Sequence, residues 1–284
     1  MTLPPGAGDR GFAPPVIVHR DIGREPAFAA DDRGVAYGDG LFETMRAHAG
    51  DVPWWQAHWA RLRLGADRLR IPLPSQDVVH ADARRLLDGR DGVLKLVVTR
   101  GSGGRGYALP AEPVPTWALA WHPLPPAPPE EGITLRWCDL HLGVQPALAG
   151  IKHCNRLEQV LARSEWVDPS IHEGLLRSIE GDVVCATAAN VFVLHDGRWK
   201  TPAVDRCGVA GVCRAWAIAQ LGVHEVRLSV GEVEAAEAVF VCNAVRGILA
   251  VARLGGRGWP PHPQVQALQR RLAAEHPAFA LELP

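Results

Sequence analysis

The segment GIKHCNRLEQVLA, residues 150–162, sets Lys152 at the mouth of an amphipathic helix. Lysine is scarce in this chain: of 30 basic residues, the lysines are Lys95, Lys152 and Lys200. Arginine cannot serve as an amine base or nucleophile, because its guanidinium stays protonated at any working pH. Lys152 is flanked by Ile151 and Cys154 rather than by charges, and it lies near the middle of the sequence. A lysine partly removed from water has a lowered pKa, and can form a Schiff base or act as a base. Three further segments could bind anions. DRCGVAGVCRAW (residues 205–216) puts small residues just before a helix, where free backbone N–H groups suit a phosphate. FVCNAVRG (240–247) ends a strand in a turn, and RGSGGRGY (100–107) joins a pliable backbone to Arg100 and Arg105, both suited to carboxylates. Arg61 adds a cation on an earlier helix. Each has a plain structural alternative: an exposed lysine, a simple turn and cap, a flexible surface loop, a solvated helix arginine. Taken together they suit a phosphate-bearing carbonyl cofactor acting on a carboxylated amine, one reading among several.

The elements that must position these residues follow from pattern. PVIVH (15–19) and the alternating LFETMRAH (41–48) read as strands, and Gly50-Asp51 predicts a hairpin into VPWW. Trp59, Leu62, Ala66 and Leu69 fall at helical spacing within residues 56–69, and a second helix is expected over 75–87 with Ser75 as its N-cap. GVLKLVVTRG and PTWALAWHPL read as strands joined by the glycine-rich segment 101–106. The proline-rich stretch 122–131 is the expected linker. Beyond it come a strand at ITLRWC, the helix after Lys152, and two strands in GLLRSIEGDVVCATAANVFVLHDG with Glu180-Gly181-Asp182 at their turn. A helix over 211–221, strands at HEVRLSV and AVFVCN, and a packing helix over 265–275 complete the reading. The expectation is α+β in two domains, 1–121 and 132–284, with residues 1–15 poorly ordered.

Composition excludes several classes. Lys plus Arg (30) nearly cancels Asp plus Glu (31), so no global field attracts nucleic acid or an anionic membrane. Six cysteines occur without a CxxC pair, which gives no zinc or metal spacing and fits buried thiols in a reducing cytoplasm. No signal peptide and no apolar run of membrane-spanning length is present, so a soluble, cytoplasmic protein is expected.

The motifs also resemble a known family. YGDGLFETMR (37–46), HWARL (58–62), IKHCNRLEQVLAR (151–163), ATAANVF (186–192), TPAVDRCGVAGVCR (201–214) and FVCNAV (240–245) occur in the order found in fold-type IV pyridoxal-phosphate enzymes. That family includes branched-chain and D-amino acid aminotransferases. Within it, VTRGSGGRGY, KHCNRLEQV and VFVCNAV resemble the aminodeoxychorismate lyases. The resemblance spans residues 16–252 and implies the two-domain, D-amino acid aminotransferase-like fold, with pyridoxal 5'-phosphate between the domains, and a homodimer. By resemblance Lys152 matches the lysine that forms the internal aldimine, and Arg61 the phosphate-binding arginine. Val209 and Ala210 match backbone donors to the phosphate, and Ala244 lies in a second phosphate-contacting turn. Asn190 belongs to the A-N-[VLI]-F motif and Asn243 to the C-N-[SA] motif. Arg105 and Tyr107 fall in the loop that closes over substrate, a loop that often approaches the other subunit's site. The implied reaction converts 4-amino-4-deoxychorismate to 4-aminobenzoate and pyruvate. An aminotransferase, or a silent homologue that acts as a scaffold, is the alternative.

Two positions depart from the family. Cys185 stands five residues before Asn190, where the family usually carries a glutamate that pairs with the pyridine nitrogen. A thiol makes the cofactor a weaker electron sink. Ala244 lacks the hydroxyl that would add a phosphate hydrogen bond.

Overall fold

The computed structural model describes residues 16–20, 23–24 and 28–280. The expectation for residues 1–15 falls outside them. The first half of the chain runs β1 (Val16–Arg20), β2 (Gly23–Arg24), α1 (Arg33–Tyr37), β3 (Gly40–Ala47), α2 (Trp55–Leu69), α3 (Gln76–Leu87), β4 (Gly92–Thr99) and β5 (Thr116–His122). Its strands form one antiparallel sheet in the order β2-β1-β5-β4-β3. The apolar stripe of α2 (Trp55, Trp59, Leu62, Ala66) packs with Leu41 and Met45 of β3 and Leu94 and Leu96 of β4 into one core. Each of the buried leucines and Met45 contributes about 1.5–3 kcal/mol on burial.

The predicted hairpin at Gly50-Asp51 does not form. His48 and Asp51 close a tight turn, but Trp54 adopts a left-handed conformation (φ 58°) and launches α2 at the next residue. The partner of β3 is instead β4, in register from Gly40 opposite Thr99 to Ala47 opposite Gly92. Ser75 does precede α3, although its side chain makes no capping hydrogen bond.

The second half runs β6 (Ile133–Leu142), α4 (Leu157–Arg163), β7 (Glu173–Ser178), β8 (Val183–Ala186), β9 (Asn190–His195), β10 (Arg198–Pro202), α5 (Val212–Leu221), β11 (His224–Val226), α6 (Val230–Glu234), β12 (Ala238–Asn243), β13 (Gly247–Leu254), β14 (Arg257–Gly258) and α7 (Pro263–Glu275). These strands make a nine-stranded mixed sheet, β11-β10-β9-β12-β13-β6-β7-β8, with β14 on β13. The sheet is curled, and a bridge from Val183 to Leu228 brings its β8 edge back to the segment after β11. Residues 173–195 form three strands rather than the expected two, because the chain breaks again between Ala186 and Asn190. That break exposes a stretch of backbone to the space between the two sheets.

Candidate active site

The segment bearing Lys152 is stitched to both sheets. The Cys154 N–H donates to Gly40 O (2.9 Å) and the Phe42 N–H to Lys152 O (3.0 Å), so the lysine runs beside β3. On its other side the Gly150 N–H donates to Gly208 O (3.0 Å), and Gly150 O accepts from the Ala210 N–H (3.0 Å). Gly150 has φ +79°, a left-handed turn that favours glycine. Ile151, fully buried in the core beneath α2, anchors the turn, and the Lys152 side chain lies over the Phe42 ring with Nζ 4.3 Å from its centroid. Burial and then the charge of Arg61 lower the lysine pKa from 10.5 to about 7. A neutral amine is thus available near neutrality.

Lys152 opens into a cavity of about 430 Å³ whose walls include Arg61, Arg156, Cys185, Asn190, Val209 and Asn243. At one end Arg61 is clamped by a buried carboxylate. Its Nε donates to Glu43 Oε1 (2.9 Å), its Nη2 to Glu43 Oε2, and its Nη1 to Ala210 O (3.1 Å). His58 Nδ1 lies 2.6 Å from Glu43 Oε2. Burial pushes the Glu43 pKa up, but Arg61 and His58 overcome it and hold the carboxyl at about 2. Burial also keeps His58 below its ordinary pKa, so it serves as a neutral donor to Glu43. Beside Arg61, α5 begins at Val212 with Gly211 as N-cap. The N–H groups of its first turn have no acceptor within the helix, and together with Arg61 they make an anion-binding end.

This geometry corrects one sequence expectation. The Ala210 N–H is spent on Gly150 O, so it is not a free phosphate donor; the helix begins two residues later. Val209 lines the cavity, and its carbonyl accepts from Asn190 Nδ2 (2.9 Å). Asn190 therefore braces the loop. Asn243 likewise folds a turn: its Oδ1 accepts from the Val245 and Arg246 N–H groups (3.0 and 2.8 Å), and its Nδ2 donates to Ala188 O (3.2 Å). Ala244 also lies on the cavity wall.

Cys185 is buried against the cavity, and burial raises its pKa to about 12, so it remains a neutral thiol. No aspartate or glutamate lines the cavity among the described residues. Glu180 is ion-paired with Arg206 at the surface. Arg156, whose Nε and Nη2 donate to His153 O (2.9 Å) and Ile151 O (3.2 Å), completes the wall.

The arginine-bearing loop lies away from this chain's cavity. Arg105 and Tyr107 are exposed, Tyr107 by 85 %, and neither lines this chain's cavity. Arg33 holds the loop through Gly106 O (3.1 Å) and Ala108 O (3.3 Å), and Tyr37 packs on Tyr107 with ring centroids 5.4 Å apart. Arg100 is not available either, since its guanidinium binds Asp39 and caps the end of α2 at Leu69 O and Arg70 O. Sequence reading also missed Glu43, His58, Arg156 and Arg246. The sign for Glu43 was its place in an alternating strand, on the same side as Leu41 and Met45.

A buried, neutral-poised lysine facing an arginine-and-helix anion site between two sheets defines a fold-type IV pyridoxal-phosphate centre, and the amine and anion end fit that cofactor. The amino-transferase class IV family model matches residues 40–254, and the chain belongs to that family. The chain is 34 % identical over 238 residues to the aminodeoxychorismate lyase of Vibrio harveyi, covering 78 % of this chain and 85 % of that protein. The crystal structure of 4-amino-4-deoxychorismate lyase from Pseudomonas aeruginosa superposes with a TM-score of 0.86 at 39 % identity, covering 91 % of this chain and 99 % of that one. A D-alanine aminotransferase of Bacillus licheniformis is 26 % identical over 252 residues, or 82 % of this chain and 85 % of that protein.

Proposed function

We propose that this enzyme is an aminodeoxychorismate lyase, cleaving 4-amino-4-deoxychorismate to 4-aminobenzoate and pyruvate. The observation that carries the reading is Lys152, an amine with pKa about 7 in a cavity without a lining carboxylate. Pyridoxal phosphate, when bound, supplies an electron-withdrawing ring that stabilises negative charge at the carbon bearing the substrate amine. Arg61 and the first turn of α5 would hold its phosphate, and Lys152 would hold its aldehyde carbon until the substrate amine takes that place and frees the lysine amine. Lys152 then takes the proton from the amine-bearing ring carbon. The neighbouring carbon–oxygen bond breaks, the ring becomes aromatic, and the proton is returned to the methylene of the departing enolpyruvate, giving pyruvate. Aromatisation drives this elimination. The neutral Cys185 thiol, which supports the ring nitrogen less strongly than a carboxylate, therefore handicaps it less than transamination.

A second copy of the chain completes the site in this reading. Support comes from the exposed apolar side chains of α4, Leu157, Val160 and Leu161, tied to α1 by the Asn155 Nδ2 bond to Gly38 O (3.0 Å). Across such a homodimer the Arg105–Tyr107 loop of one protomer reaches the other's cavity, and Arg105 takes a substrate carboxylate. Six free cysteines suit a reducing cytoplasm, and no helix among the described residues is long and apolar enough to cross a membrane.

The test is formation of 4-aminobenzoate from aminodeoxychorismate generated in situ, with Lys152→Ala inactive and lacking the visible band of the lysine-bound cofactor. Likeness to D-alanine aminotransferases favours a second reading. Keto acid formation from D-alanine or leucine with 2-oxoglutarate, without 4-aminobenzoate, would establish it instead. Cys185→Glu is expected to raise any transaminase rate relative to the lyase rate, and an unchanged ratio would count against the role given to the thiol.

A further inference from the structure

Four cations line the cavity: Arg61, Lys152, Arg156 and Arg246. Three have assigned partners. Arg61 is held by Glu43 and faces the anion end, Lys152 is the amine, and Arg156 gives two of its nitrogens to backbone carbonyls. Arg246 differs. Its guanidinium has no hydrogen-bond or ion-pair partner among the described residues, yet the residue is half-buried on the wall. Its backbone is fixed, because the Arg246 N–H donates to Asn243 Oδ1 (2.8 Å) while Arg46 holds the same turn through Ala244 O (3.2 Å) and Val245 O (3.1 Å). A half-buried guanidinium on a rigid turn, with no protein carboxylate beside it among the described residues, is placed to take an anion from a ligand. The turn and the lysine segment are held at different points along β3: Lys152 O accepts from the Phe42 N–H, whereas the turn is held four residues further on by Arg46, and also by Ala188 O.

We propose that Arg246 binds the ring carboxylate of the substrate and makes the site selective for carboxylated rings. The inference rests on the lyase reading for its substrate. The ring carboxylate lies opposite the amine, so with the amine at the Lys152 end of the cavity the carboxylate points away from the lysine, and Arg246 lines the same cavity. A guanidinium meets it through two parallel N–H donors. No lining carboxylate competes for Arg246.

The test is equilibrium titration of the cofactor-loaded enzyme with 4-aminobenzoate and with aniline, followed by the perturbation of the cofactor's visible absorbance. The wild type is expected to bind 4-aminobenzoate about tenfold or more tighter than aniline, the worth of one charge-assisted contact. Arg246→Met brings the two affinities within about twofold of each other, and Arg246→Lys, a point charge without the fork, falls between. A substitution that merely damaged the fold would weaken both ligands together and leave their ratio alone. A wild type that binds neither ligand or does not discriminate, or an Arg246→Met variant that keeps the wild-type ratio, overturns the proposal. Lyase turnover is scored separately. If the wild type makes no 4-aminobenzoate, the lyase reading falls, while the binding ratio still judges Arg246.

Discussion

Lys152 and Glu43 show how burial sets opposite charge states within one site. For the lysine, burial and the nearby Arg61 both disfavour the ammonium, so the amine is half neutral at about pH 7 rather than 10.5. Its capture of pyridoxal phosphate by the apo-protein, followed as growth of visible absorbance, should rise with pH through about 7 and then level off. A rate still climbing steeply at roughly pH 9, as an ordinary lysine would give, contradicts the assignment. For Glu43, burial also opposes charge, but Arg61 and His58 reverse the balance and the pKa falls from 4.5 to about 2. A depressed carboxyl pKa stabilises the fold fully above about pH 4.5, and that contribution is lost as pH falls toward about 2. Glu43→Gln leaves Arg61 without its counter-charge. Breaking such a buried pair costs about 3–5 kcal/mol. The expected result is a lower denaturation midpoint and cofactor binding weakened about tenfold or more. A variant of unchanged cofactor affinity would show that Glu43 does not position Arg61.

At the level of elements, the start of α5 decides which backbone groups face the anion. A Cβ added to Gly211 would fall 2.1 Å from Asn190 Oδ1, although φ −67° and ψ 143° suit any residue. Alanine there must displace either the helix start or the Asn190 brace on Val209. Gly211→Ala is therefore expected to keep its circular dichroism and to bind pyridoxal phosphate about tenfold less tightly, the loss of one charge-assisted hydrogen bond. Unaltered affinity would place the anion elsewhere. The same helix start shows what the sequence made legible. Lys152 was visible because its residue type was anomalous, and Arg61 because a family motif carried it. The donors near Val209 were visible only to within a turn, because motif spacing does not say which N–H groups a neighbouring carbonyl already takes. Glu43 was hidden for a related reason. Alternation puts it on the inward face with Leu41 and Met45, but a carboxylate by its type reads as solvent-facing; here it lies inside, 1 % exposed, where an arginine from α2 neutralises it. VPWW misled because tryptophan favours strands, while the left-handed turn at Trp54 is a tertiary choice with no local signature.

For the whole molecule, the separation of Lys152 from Arg105 is the decisive feature. One chain holds the amine in a deep cavity and presents its arginine loop outward, braced by Arg33 and Tyr37 rather than folded over its own cavity. A loop anchored at successive carbonyls cannot swing inward without giving up those bonds. In the proposed homodimer it would meet the cavity of a second copy, and the exposed apolar side chains of α4 would supply area for that contact. Subunit complementation separates the two arrangements. Lys152→Ala lacks the amine and Arg105→Ala lacks the loop cation, so each variant alone is expected to be inactive or severely impaired. If each site draws its loop from the partner, mixing the two variants under conditions of subunit exchange yields heterodimers. In these, one site has both defects and the other has neither, and activity returns to about a quarter of the wild-type level at equal mixing, since about half the dimers are mixed and each carries one intact site. If the loop served its own chain's cavity, every site in every mixture would carry a defect and no activity would return. Introducing Leu161→Glu into both variants should abolish the recovery by placing a charge in the α4 contact, with a monomer mass in light scattering as the accompanying signature.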